Sequence, residues 1–122
     1  MGSTSDEPHA KKITDKLDEY GITWEQHAAS AHKQPLKVLE ILEANKNEKN
    51  IVYITIAGRS NALSGFVAAN SDFPTIGCPP FSDKSDMLVN IHSTLQMPSQ
   101  TPVLTVIDPG NCALAVKRIF GV

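Results

Sequence analysis

The chain has 122 residues, of which 41% are hydrophobic and 20% charged, and its formal net charge is -2. That length argues for one domain spanning 1–122, and the near-neutral balance gives no electrostatic case for nucleic acid or an anionic membrane as a partner. No apolar run approaches the ~20 residues of a membrane span, and MGSTSDEPHAKK lacks the apolar stretch of a secretory signal.

Ser5 or Asp6 is placed to cap a helix that opens at Pro8 or His9 and runs to Tyr20. Ile13, Leu17 and Tyr20 fall at helical spacing, and Gly21 ends it. Ile22 to His27 reads as a short strand, and the small, polar stretch Ala28 to His32 as a loop. Pro35 opens a second helix with Leu36, Leu39, Ile41 and Leu42 on its apolar side. Asn45 to Asn50 is a polar turn. Ile51 to Ala57 is β-branched and almost continuously apolar, as in a central strand buried on both faces. Gly58-Arg59-Ser60-Asn61 follows at once, then a helical stretch from Ala62 to Asn70. Pro74 to Cys78 reads as a strand closed by Pro79-Pro80, Asp86 to Leu95 as helical, Val103 to Ile107 as a further buried strand, and Asn111 to Phe120 as a helix.

Strands alternating with helices imply a parallel sheet covered on both faces, an α/β sandwich. Such sheets place ligand loops at the carboxyl ends of their strands. Three loops qualify: Gly2 to Asp6, Ser30 to Lys33, and Gly58 to Asn61. A doubly wound fold begins with a strand, yet none precedes Met1-Gly2-Ser3, so the chain is expected to be a segment of a longer polypeptide. Its first strand and the remainder of its last helix are then missing from the segment.

Each loop has two readings. Gly2-Ser3-Thr4-Ser5-Asp6 is either an ordinary N-cap or a phosphate site built from hydroxyls and backbone N–H groups at a helix start. Ser30-Ala31-His32-Lys33 is either a solvated turn or an imidazole set beside a cation that favours its neutral, proton-accepting form. In Ala57-Gly58-Arg59-Ser60-Asn61, Gly58 admits close approach to the backbone and Arg59 can fork onto a phosphate or carboxylate. In the plainer reading, Ser60 or Asn61 caps the following helix. Cys78 and Cys112 are far apart with no CxxC, which points to a reduced, cytoplasmic setting. His9, His27, His32 and His92 are scattered without metal-ligand spacing.

Met1-Gly2-Ser3-Thr4-Ser5-Asp6, Ser30-Ala31-His32-Lys33, Ala57-Gly58-Arg59-Ser60-Asn61, Cys78-Pro79-Pro80 and Met97-Pro98-Ser99 together resemble the aminoimidazole ribonucleotide carboxylase family in order and spacing. The resemblance implies a three-layer α/β/α sandwich of flavodoxin-like type. It also implies homo-oligomers, octamers or tetramers, with active sites at subunit contacts. Lys33 and Arg59-Ser60-Asn61 resemble the class that adds carbon dioxide directly to C4 of the ribonucleotide. The mutase class, which moves a carboxylate from N5, carries Arg after the His and Gly-Ala-Ala in place of Arg59-Ser60-Asn61. Gln96 is closer to the mutase pattern, and Gln100 stands where the family has Gly.

By that resemblance His32 is the acid/base. Ser3, Ser5, Asp6, Ser30 and Arg59 hold phosphate and ribose, with Asp6 on the ribose hydroxyls. Ala31 and Lys33, beside the imidazole, also bind the substrate, while Gly58, Ser60 and Asn61 orient the carboxylate or carbon dioxide. The partners are then a ribonucleotide and carbon dioxide, with no metal and no organic cofactor. Two rivals stand beside this lyase reading: the mutase, and a non-catalytic nucleotide-binding module that would have no use for the imidazole. Flavodoxin-like electron transfer is weaker, since only 6% of residues are aromatic and few could sandwich a flavin.

Overall fold

The computed structural model describes residues 1–122. A 3-10 turn over Thr4–Asp6 leads into α1, Glu7–Glu19. Ala10, Ile13 and Leu17 lie on one face of α1 and are buried, the i, i+3, i+7 stripe of an amphipathic helix. Gly21 closes it in the left-handed region at φ 69°. Then come α2 (Pro35–Asn45), β1 (Tyr53–Thr55), α3 (Leu63–Ala69), β2 (Thr75–Gly77), α4 (Lys84–Asn90), α5 (His92–Leu95), β3 (Leu104–Thr105) and α6 (Pro109–Phe120).

The strands form a parallel sheet in the order β1-β2-β3, with Ile54 opposite Ile76 and Ile76 opposite Leu104. On one face α1 packs against α6, enclosing Ile13, Ile56, Ile76, Cys78, Cys112 and Val116. The second cluster joins Val38 and Leu42 of α2 to Leu63 and Val67 of α3, with Tyr53 against them. The expected three-layer α/β/α sandwich is therefore observed. Burying each of the larger aliphatic side chains contributes about 1.5–3 kcal/mol.

Several details differ from the sequence expectation. The central strand is β2, whose three residues are all buried, and not the more apolar Ile51–Ala57 segment. β1 is shorter than expected and lies at the edge, with Ile51 to Ile54 only half-buried. Ile22 to His27 is not a strand. Met1 lies where a ladder would run: Gly2 N–H donates to Ile56 O at 3.0 Å and Ala29 N–H to Met1 O at 2.9 Å. Beyond it, an apolar groove of about 930 Å³ is lined by both Ile22–His27 and Ile51–Ile54, so these backbones do not pair.

The helix expected over Asp86–Leu95 begins earlier and is broken. Asp83 caps α4 by accepting from Asp86 N–H at 2.8 Å. Ser93 Oγ donates to Asn90 O at 3.3 Å, a local alternative to the helical ladder at the break. The cap of the first helix also moves. Ser3, not Ser5 or Asp6, supplies the side-chain oxygen, accepting from Ser5 N–H at 3.2 Å. No helix is long and apolar enough to cross a membrane.

Candidate active site

Parallel strands end on a common edge, so the chain segments leaving β1 and β2 open on the same side of the sheet. There the loops Gly2–Asp6, Ser30–Lys33 and Ala57–Ser60 meet around a cavity of about 870 Å³. The three loops singled out in the sequence are thus brought together. Of the eleven expected site residues, all but Asn61 lie on the cavity wall.

The first loop is held by the 3-10 turn. Asp6 N–H donates to Ser3 O at 3.1 Å, and the Ser3 and Ser5 hydroxyls are hydrogen-bonded at 3.0 Å. Asp6 is half-buried behind them. Desolvation raises its pKa, opposed by the terminal ammonium and His9.

The second loop is a turn fixed by Ser30. Its hydroxyl accepts from Lys33 N–H at 3.2 Å and its carbonyl from Gln34 N–H at 2.7 Å. His32 and Lys33 project from this turn, both exposed and neither in an ion pair. In the third loop Arg59 and Ser60 are exposed, and Ala62 N–H donates to Ser60 O at 2.9 Å. A Cβ at Gly58 would meet only Pro80 O at 3.8 Å, so the protein itself leaves room for a side chain there.

Asn61 points inward and is 6% exposed. Its Oδ1 accepts from Ser64 N–H at 3.0 Å, and its Nδ2 donates to Ser64 Oγ at 2.7 Å and Thr94 Oγ1 at 2.9 Å. All the hydrogen-bonding capacity of its Nδ2 hydrogens is spent on the protein. The helix-capping reading of Asn61 therefore fits the geometry, and direct contact with a ligand does not.

The opposite wall was not foreseen. Pro80, Ser82, Asp83, Ser85, Asp86, Val89 and Asn90 complete the cavity, from the β2 exit and α4. Asp86 is fixed there by Ser82 N–H at 2.8 Å and Asn90 Nδ2 at 2.6 Å. These bonds, reinforced by Arg59, hold its carboxyl below the usual range. The rule that ligand loops follow strand ends applies equally to the segment after Cys78, and Asp83 three residues before Asp86 is a visible cap signal. Lys33, Arg59 and the His32 imidazole line this cavity together with the carboxylates Asp6, Asp83 and Asp86. No three His, Cys, Asp or Glu side chains are grouped so as to hold a metal ion.

Residues 1–122 match the family model described as AIR carboxylase, where AIR is aminoimidazole ribonucleotide. The chain is 49% identical to phosphoribosylaminoimidazole carboxylase of Archaeoglobus fulgidus, over 98% of this chain and 66% of that protein. It is 46% identical to the protein of the same name from Treponema denticola, over 98% of this chain and 76% of the relative. The crystal structure of Treponema denticola PurE superposes with a TM-score of 0.91 at 44% identity, covering 99% of this chain and 77% of that one. The chain therefore spans about two-thirds to three-quarters of the length of these relatives.

Proposed function

The chain belongs to the AIR carboxylase family, and on that footing we propose that it reversibly joins carbon dioxide to C4 of 5-aminoimidazole ribonucleotide. The product is the 4-carboxy ribonucleotide of purine biosynthesis. The observation that carries this reading is the convergence of Ser3–Asp6, Ser30–Lys33 and Gly58–Ser60 on one cavity, with an unpartnered imidazole at its rim.

The chemistry assigns the roles. C4 of the aminoimidazole is an enamine carbon, and its electron pair attacks the carbon of carbon dioxide. The resulting tetrahedral C4 carries both hydrogen and carboxylate. His32 takes that proton and the ring regains aromaticity; in reverse, His32 protonates C4 and carbon dioxide departs. The substrate supplies the electron pair, so the scheme needs no metal or organic cofactor. Ser3 and Ser5 with the neighbouring backbone N–H groups suit the phosphate, and Asp6 suits the ribose hydroxyls. Arg59 and Lys33 supply cations for phosphate and carboxylate, and Ser60 a hydroxyl.

Leu88, Val89, Leu95 and Leu104 are 66%, 70%, 56% and 52% exposed. Val89 also lines the cavity. These exposed apolar side chains, with Val89 on the cavity wall, support a homo-oligomer whose subunit contact adjoins the site, and the reading is of a cytoplasmic enzyme. The groove between Ile22–His27 and Ile51–Ile54 supports the expectation that a further strand belongs to the complete protein.

Direct carboxylation is separated from the mutase reaction by the source of the carboxylate. With aminoimidazole ribonucleotide and isotopically labelled carbon dioxide, the enzyme is expected to make labelled 4-carboxy product without ATP. Quantitative conversion of the N5-carboxylated isomer, with no label entering from solution, would instead establish the mutase.

A further inference from the structure

Arg59 and Ser60 reach into the cavity from a loop that has few ties of its own. Apart from the Ala62-to-Ser60 turn bond, that loop is fastened through Asn61. Asn61 N–H donates to Ser93 Oγ at 3.0 Å and Asn61 Nδ2 donates to Thr94 Oγ1 at 2.9 Å, both on α5. Neither Ser93 nor Thr94 lines the cavity. Thr94 is 1% exposed, so its hydroxyl serves only the interior.

The network has one consistent order of donors. Asn61 Oδ1 must accept from Ser64 N–H, which fixes the amide orientation and points Nδ2 at Ser64 and Thr94. Ser64 Oγ, accepting from Asn61, is free to donate to Thr55 Oγ1 at 2.6 Å, and Thr55 to Ile76 O at 3.4 Å. On the other side Ser93 donates to Asn90 O, and Asn90 donates to Asp86 on the far wall. A continuous chain of hydrogen bonds therefore runs beneath the cavity from β1 to α4. Gly77 lies against it: a Cβ there would come within 3.2 Å of Ser64 Oγ and 3.3 Å of Thr94 Cγ2.

We propose that Thr94, with Ser93, is a positioning residue: α5 holds Asn61, and Asn61 aims Arg59 and Ser60 at the substrate. The proposal rests on reading this cavity as the place where the ribonucleotide reacts. α5 contributes to the reaction without touching the substrate, by removing the freedom of the loop that does.

The test uses Thr94→Val, which keeps the shape and leaves one buried Asn61 N–H without an acceptor. Two readouts are taken: amide hydrogen exchange of residues 58–62 without ligand, and kcat and KM for decarboxylation of the 4-carboxy ribonucleotide. In Thr94→Val, exchange over 58–62 should accelerate through local opening, and kcat/KM should fall about ten- to a hundredfold, as misplacement of site groups does. Thr94→Ser should restore both. A folded Thr94→Val with wild-type exchange and wild-type kcat/KM overturns the proposal, as does a lower melting temperature with no local change at 58–62. If Thr94→Val does not fold, Ser93→Ala, which removes the acceptor for Asn61 N–H together with the donor to Asn90 O, is judged by the same two readouts. Should the wild type not process the ribonucleotide, the functional reading fails, while exchange at 58–62 still decides whether α5 holds the loop.

Discussion

Replacing His32 with Asn should separate catalysis from folding cleanly, because the structure gives the imidazole no internal work. His32 is exposed on its turn and makes no hydrogen bond or ion pair with the protein. The turn is held instead by Ser30, which accepts from both Lys33 and Gln34. The substitution should therefore change stability by no more than about 0.5 kcal/mol, the usual range for a surface site. Losing a general acid–base group should cost about 10²–10⁴ in rate, which is about 2.7–5.4 kcal/mol of transition-state stabilisation at 1.36 kcal/mol per decade. Steady-state decarboxylation, followed by the loss of ultraviolet absorbance of the 4-carboxy ribonucleotide, measures the rate. Titration calorimetry and a thermal melt check binding and fold on the same preparation. Activity within tenfold of wild type, in a protein that binds and melts normally, would refute His32 as the proton carrier.

Ser5→Ala should weaken ribonucleotide binding by about 1–3 kcal/mol, the cost of losing a hydrogen bond to a charged group. Since Ser3 rather than Ser5 caps the turn, the melting temperature should hold; unchanged affinity with a lower melt would make Ser5 merely structural. Asp6 has its pKa raised in the folded state, chiefly by desolvation. Its ionised form therefore opposes folding, with a cost absent below its unfolded pKa and complete above the folded one. Asp6→Asn should accordingly raise the melting temperature at pH 7, show no gain near pH 3, and weaken substrate binding; a lower melt at neutral pH would reverse the sign. Gln100 has φ 63°, in the left-handed region, where a side chain is strained by about 1–2 kcal/mol and glycine is not. Set against the extra chain entropy of glycine, about 0.5–1 kcal/mol, Gln100→Gly should gain up to about 1 kcal/mol, a rise of roughly 3–5 °C in Tm. No rise on calorimetry would contradict this.

That last position shows what a sequence can signal without explaining. The resemblance implies glycine where Gln100 stands, and the left-handed φ of 63° gives the physical reason for that expectation. The helices were legible because Ala10, Ile13 and Leu17, or Cys112, Ala113 and Val116, mark one face by spacing alone. The order of strands was not legible. Ile51–Ala57 is the most apolar run and reads as central, but hydropathy records what a strand can bury and not which neighbours it has. β1 lies at an edge beside an apolar groove, which accounts for both its apolar character and its partial exposure. The break at Ile91 is local, with Ser93 Oγ donating to Asn90 O beside it, and a single hydroxyl is too small a signal to read against a continuous helical pattern.

The site residues divide along a physical line that sequence motifs cannot draw. Arg59, Ser60 and Asn61 are adjacent polar residues after a strand, and all three read as ligand contacts. Asn61 has its donors and acceptor engaged within the fold, so turning it to a ligand would break several buried bonds, each costing about 1–3 kcal/mol when left unmet. Arg59, Lys33 and His32 have no such commitments, and no salt bridge holds any of them. Arg59 and Lys33 stand in the cavity without an ion pair, and an anion that reached both would supply one. A phosphate together with a carboxylate is such an anion. On the proposed reading these two cations are the electrostatic counterpart of the ribonucleotide, and the interior bonds of Asn61 would keep Arg59 in place for it.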